Sequence, residues 1–197
     1  EKNGTLISFT PDCNPQHPQE RLFDPHFAFR DEFVETMLRN YSYLNTGLTI
    51  TYNGKRFVSK NGLLDLIKDN ADKAIHAMPA YHVIKEGNVE CEVALMWTKG
   101  KEKSFTFTNG LCQSEGGTSL TGVKTAITNF VKKQFKGEFD GDLARAGLVY
   151  AVSCKVPNPS FANQTKTKIN NPELRGLSQR AAGQALEDFA HRKANDF

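Results

Sequence analysis

The chain has 197 residues, 39% of them apolar and 24% charged. That is enough for one substantial domain or two small ones, and it excludes a disordered or fibrous chain. The net charge of +3 conceals an asymmetry: residues 1–97 carry 10 Lys or Arg against 13 Asp or Glu (−3), and residues 98–197 carry 15 against 9 (+6). Such a bias suits an anionic partner and equally suits a solvated face.

In chain order, Gly4–Phe9 (GTLISF) alternates and reads as a first strand, followed by a four-proline loop over 10–25. A helix is predicted over 31–44, because Phe33, Val34, Met37, Leu38, Tyr41 and Leu44 recur at i, i+3, i+4 spacing. LTITYNGKRFVS (48–59) is two alternating runs around Asn53-Gly54, a strong hairpin signal, and NGLLDLIKDN (61–70) is a short helix. Residues 80–110 read as three strands with turns near Gly87-Asn88 and Lys99-Gly100. The strongest helix lies in 115–137, with Leu120, Val123, Ile127, Phe130, Val131 and Phe135 on one face and Lys124, Thr128, Lys132 and Lys136 on the other. A short turn or helix over 140–147, a buried strand over 148–156, a long polar loop over 157–171 and a terminal helix starting near Pro172 complete the chain. Mixed strands and helices with several antiparallel neighbours favour an α+β fold over a doubly wound sheet.

No apolar run approaches the ~18 residues of a membrane helix, so no membrane association is expected. The start, EKNGTLISFTPD, has neither an initiator Met nor an apolar signal region, which reads as a fragment of a longer, cytoplasmic protein. Cys13, Cys91, Cys112 and Cys154 are scattered and read as small buried hydrophobes in a reducing compartment. The five histidines are dispersed too, so no metal site is expected. Glu90 and Glu92 share a strand face and read as solvent-facing rather than as an acid–base pair. No nucleophile elbow is present.

Three stretches offer chemistry. In EGGTS (115–119), Gly116 and Gly117 could turn backbone N–H groups toward an anion at a helix N-terminus; alternatively this is a Gly-rich turn capped by Thr118 or Ser119. Lys124, Lys132, Lys133 and Lys136 could meet phosphates by charge attraction, or form a solvated helix face. Gln164-Thr165-Lys166 stands in a loop far longer than a chain reversal needs. Its lysine could bring three donors to a phosphate oxygen, its glutamine could donate through the amide, and the residues alone allow an exposed basic loop as well.

SCKVPNPSFANQTKTKINNPELRG and SFTFTNGLCQSEGGTSLTGVKTAITNFV resemble segments of type IIA DNA topoisomerase B subunits. GDLARAGL, YSYLNTGLTI and GTLISFTPD are similar to three more anchors of that family, and all fall in family order from residue 4 to about 190. The resemblance is to the transducer domain of gyrase B and topoisomerase IV B subunits. It implies a single domain over 1–197: a core at 4–156 with a left-handed β-α-β crossover like that of a ribosomal-protein domain, a QTK loop at 157–171 and a helix at 172–193. It further implies that Lys166 contacts the γ-phosphate of ATP held by an upstream ATPase domain, with Gln164 and Thr165 beside it. Lys124, and more weakly Lys132 and Lys133, would face transported DNA. Partners implied are that ATPase domain, a downstream Toprim region, the A subunit, a second B subunit and DNA. Mg2+ would serve the full enzyme and no metal this fragment, which would be catalytically incomplete alone. Ser119 replaces the family histidine, and Leu143 and Ala146 replace acidic residues while Arg145 remains. The compact hairpin favours a topoisomerase IV-type subunit. The loop over 161–171 is expected to be mobile when its nucleotide-bearing neighbour is missing. Rival readings are a stand-alone basic nucleic-acid-binding module and a kinase or chaperone of the same superfamily.

Overall fold

A computed structural model describes residues 3–13, 23–138 and 140–194, the side chains of 193 and 194 excepted. The backbone divides into two compact units, 1–38 and 39–197.

In the first unit the strand expected over 4–9 does not form. A strand needs a ladder partner for its N–H and C=O groups, and these residues pair with none among the described ones. Leu6, Ile7 and Phe9 are 93%, 80% and 71% exposed. Phe27 makes ring contacts with Phe23 and Phe29, and Phe9 packs edge-on against Phe29. Part of the proline-rich loop, 14–22, lies outside the described residues. Helix α1 (Asp31–Leu44) forms over the predicted span. Of its apolar stripe, however, Phe33, Met37 and Tyr41 are exposed, and the buried residues are Ser42 and Tyr43.

The second unit is built on a mixed sheet. After the hairpin β1 (Ile50–Tyr52) and β2 (Lys55–Phe57) comes α2 (Leu63–Asn70). Then follow β3 (Ala80–Glu86), β4 (Val89–Trp97), β5 (Lys103–Thr108) and β6 (Leu111–Cys112). Helices α3 (Thr118–Phe135) and α4 (Gly141–Ala144), strand β7 (Leu148–Lys155) and helix α5 (Pro172–Ala194) complete it. The order across the sheet is β3-β4-β7-β5-β6. All neighbours are antiparallel except β5 and β7, which run parallel through a crossover carrying α3. Two-residue β6 has too little alternation to be read from sequence.

Strand period decides which residue meets which layer. On β4, Cys91, Val93 and Leu95 join Val123, Ile127, Leu174 and Leu186 of α3 and α5 in one core. Ala94 and Met96 point the other way, into a second core with Tyr43, Leu63, Leu66 and Ile67. Both faces of β4 and β7 are covered, which is why those strands read as continuous apolar runs. Each fully buried Leu or Ile contributes about 1.5–3 kcal/mol relative to exposure. The cysteine expectation holds for Cys91 and Cys154, which are buried directly opposite one another with sulfurs 3.2 Å apart. It fails for Cys112, which two-residue β6 leaves exposed, and for half-buried Cys13. Where β4 ends, Trp97 donates its backbone N–H to His76 Nε2, and both rings pack on Phe189 of α5.

Helices α3 and α5 come close together at Gly122. A Cβ there would strike the Arg175 carbonyl and Ser178 Oγ and lie 3.0 Å from the Gln179 nitrogen. Gly122→Ala is therefore expected to destabilise the domain by about 1–3 kcal/mol through overpacking, read as a lower denaturation midpoint at unchanged m-value; an unchanged midpoint would show that the helices are not in close contact there. A second expectation concerns alkaline pH. Tyr43 donates to Asp69 (2.5 Å); burial, then that bond, pushes its phenol up from near 10 to about 12. The folded state thus prefers the protonated phenol. Its contribution is complete below pH ~10 and is lost as pH rises through ~12, costing up to about 2 kcal/mol. Denaturant titrations between pH 9 and 12 should show this fall, and Tyr43→Phe should reduce it.

Candidate functional site: the basic arm and its seat

The segment after β7 leaves the sheet and returns to α5 as an arm closed by its own hydrogen bonds. Ala162 N–H donates to the Lys168 carbonyl (3.0 Å) and Asn170 N–H to that of Ser160 (2.8 Å), closing the arm on itself. Asn171, buried at its base, accepts from Ser160 N–H (2.6 Å) and donates to the Asn158 carbonyl (3.1 Å). The tip is a turn closed by Lys166 N–H on the Asn163 carbonyl (3.2 Å), which places Gln164 and Thr165 at its two central positions. Asn163 also binds Thr167 through both ends of its amide (2.7 and 3.1 Å), the local bonding that suits asparagine to turns.

Gln164, Thr165 and Lys166 are all exposed. Lys166 sits in the left-handed region (φ 58°), its ammonium 5.7 Å from the Phe161 ring centroid. Phe161 packs on the core between sheet and helices. The lysine therefore rests its stem on an anchored ring and has no carboxylate partner among the described residues.

In the EGGTS stretch neither Thr118 nor Ser119 acts as the helix cap. The N-cap of helix α3 is Gly117, which supplies no side-chain cap. The Thr118 and Ser119 hydroxyls are buried without partners. The glycines instead admit the returning limb of the arm. Ile169 N–H donates to the Gly116 carbonyl (3.0 Å), Thr118 N–H to the Ile169 carbonyl (3.1 Å) and Glu115 N–H to the Thr167 carbonyl (2.9 Å). At Gly117, φ is 127° and a Cβ would collide with the Ile169 backbone. Only glycine allows both the conformation and the approach. The Glu115 carboxylate adds a bond from Thr167 Oγ1 (2.5 Å).

The lysines of α3 part company. Lys124 is half-buried and lines a cavity of about 370 Å³ beside the arm's base, with Thr118, Thr121, Lys168 and Arg175. Lys132 and Lys133, about 12 Å further along the helix, are held by Glu138 (2.5 Å) and Glu187 (3.3 Å). Lys168 and Arg175 carry no motif that marks them in the sequence; the one available signal is a basic residue two places beyond Lys166. Arg145 is buried on Glu102 (3.1 Å) and Asp142 (2.5 Å), with Tyr150 donating to the same Glu102, so it supports the fold. Glu92 corrects the solvent-facing reading: it is half-buried, burial raises its pKa, and it accepts from Tyr81 (2.9 Å). Glu90 binds Lys155 (2.8 Å). Among the described residues no group of three His, Cys, Asp or Glu could hold a metal, and no helix is long and apolar enough to cross a membrane.

The family profile described as DNA gyrase B matches residues 56–197. The chain belongs to the DNA gyrase B family. It is 30% identical to the DNA gyrase B subunit of Treponema denticola over 219 residues, covering 100% of this chain and 33% of that protein. With the gyrase B subunit of Bacillus mycoides it shares 29%, covering 96% of this chain and half of the other. In three dimensions it matches the 43K ATPase domain of Thermus thermophilus gyrase B, solved with an aminocoumarin. The TM-score is 0.70 at 26% identity, over 86% of this chain and 50% of that one. The topoisomerase IV ATP-binding domain of Francisella tularensis shares the fold (TM-score 0.68, 21% identity, 86% of this chain and 50% of that one). The chain thus spans a third to a half of the relatives named.

Glu115→Ala removes a carboxylate that fastens the arm. Amide exchange at Ala162 and Thr167 should accelerate about tenfold, the size of one lost hydrogen bond, while global stability is little changed. Unaltered exchange would show that Glu115 does not hold the arm.

Proposed function

We propose that this chain is the transducer domain of an ATP-dependent type II DNA topoisomerase B subunit. The observation that carries the reading is the arm itself: a fastened projection that presents Gln164, Thr165 and Lys166 with a cation unopposed by any described carboxylate. Lys166 is suited to meet the γ-phosphate of ATP held by a neighbouring ATPase domain, with Gln164 and Thr165 alongside. Bound ATP supplies the terminal phosphate whose presence or loss the arm would register. Lysine contributes a point charge and donors to developing negative charge. A contact available only with the triphosphate biases the angle between domains, as a ligand that prefers one state must. Rigid seating of the arm on α3 and α5 lets the tip and the helices move together. Coupled in this way, nucleotide state would drive closure of a dimeric clamp and passage of DNA, with Lys124 facing the duplex phosphates. The rest of that enzyme would supply Mg2+, a Toprim region and an A subunit.

Within this class we favour a topoisomerase IV-type subunit. The hairpin Ile50–Phe57 turns through Asn53-Gly54 and carries no insertion. The curated relatives named above are gyrase subunits, so the subtype rests on the hairpin alone. Family membership lends no support to a stand-alone nucleic-acid-binding module.

The isolated chain is expected to show no ATP turnover; hydrolysis by clean protein that disappears in Lys166→Ala would refute the view that the nucleotide pocket lies elsewhere. In the full-length protein, Lys166→Ala should lower turnover at least 100-fold (about 2.7 kcal/mol in the barrier) with nucleotide binding changed far less. Near-normal turnover would remove Lys166 from the reaction. Introduction of supercoils into relaxed circles by the reconstituted enzyme would overturn the topoisomerase IV assignment.

A further inference from the structure

The cavity beneath the arm gathers cations from three different segments: Lys124 from α3, Lys168 from the returning limb and Arg175 from α5. None of their side chains has a partner among the described residues. Elsewhere on the same two helices the pattern is the opposite, since Lys132, Lys133 and Arg180 each hold a carboxylate. The acid in the cavity wall, Glu115, is already taken up by Thr167 and Asn163. Thr118, also in the wall, keeps a buried hydroxyl with no hydrogen-bond partner. Like charges brought round one opening repel each other, and a bound anion relieves that repulsion. Three multi-donor cations and a free hydroxyl match an anion bearing several acceptor oxygens.

We propose that this cavity is a phosphate site, formed by Lys124, Lys168, Arg175 and Thr118, whose occupancy clamps the base of the arm. Lys168 stands between Thr167, bonded to Glu115, and Ile169, laid across Gly116 and Gly117. A phosphate bridging Lys168 to Lys124 and Arg175 ties the arm's returning limb to both helices at once. The site thus reports phosphate to the arm that carries Lys166, which deepens the function proposed above and rests on it. A backbone phosphodiester of duplex DNA and free inorganic phosphate share the chemistry.

The test uses the whole chain. Binding of a short fluorescein-labelled duplex is followed by anisotropy across a salt series, and amide exchange at Ala162 and Ile169 is measured with saturating duplex or with millimolar inorganic phosphate. The site variant is Lys168→Gln/Arg175→Gln; the control, Lys99→Gln/Lys101→Gln, removes equal charge at the β4–β5 turn. The site variant should lose about tenfold in duplex affinity and about 2 from the slope of log K against log salt, one per lost contact; the control should move by less than about twofold. Ligand should slow arm exchange in the parent and control and leave the site variant unchanged. Slowing by duplex alone assigns a DNA phosphate, and slowing by inorganic phosphate assigns the free ion; either supports the site. Equal duplex-affinity losses in the two variants, arm protection by neither ligand in the parent, or protection that survives in the site variant would each overturn it. Turnover of full-length Lys166→Ala judges the ATP reading separately, because that residue lies outside the cavity wall.

Discussion

The passage of the Ile169 backbone over Gly117 is the constraint on which the rest of the site depends. A side chain at position 117 would occupy the space of the Ile169 carbonyl, so the arm could not return beside the start of α3. Without that return, Asn171 would not sit between Ser160 and Asn158, and Pro172 would not open α5 where it does. Two glycines thus decide where a loop of some fifteen residues is seated. The hydrogen bonds then add direction, since Ile169 bonds the residues on either side of Gly117, donating to the Gly116 carbonyl and accepting from Thr118 N–H, in a short parallel bridge.

Layering explains how this seat is built. Strands β4 and β7 are sandwiched between α2 on one face and α3 with α5 on the other, and their side chains alternate between two apolar cores. Interiors packed in this way transmit displacement instead of absorbing it. Small residues on the inner side of α5, among them Ala181, Ala182 and Ala185, and Gly122 opposite on α3, bring the two helices close. The arm begins at the end of β7 and ends at the start of α5, so both its roots lie in this packed block.

Most of the elements are legible in the sequence. The helices at 31–44 and 118–135, the hairpin around Asn53-Gly54 and strands β3, β4, β5 and β7 follow from apolar period and turn chemistry, which act locally. Gly4–Phe9 has the same alternation but pairs with nothing among the described residues, because a strand is completed by a partner that its own pattern does not supply. The site divides along the same line. Gln164, Thr165, Lys166 and Lys124 are visible through family motifs. Lys168 and Arg175 are not, since convergence from three segments leaves no spacing to read. The role of Gly117 is hidden for a related reason: a φ of 127° shows in sequence only as a glycine, and what the glycine makes room for lies fifty-two residues away at Ile169.

Trp97 is the chain's one tryptophan. It closes β4 against His76 and against Phe189 in the last turns of α5. Intrinsic fluorescence excited at the indole band therefore comes from a single known place, at the end of α5 opposite to the one where the arm joins. A change in that emission on adding a ligand at the arm would mean that α5 had shifted along its length, making the molecule its own optical gauge of helix movement without an attached dye.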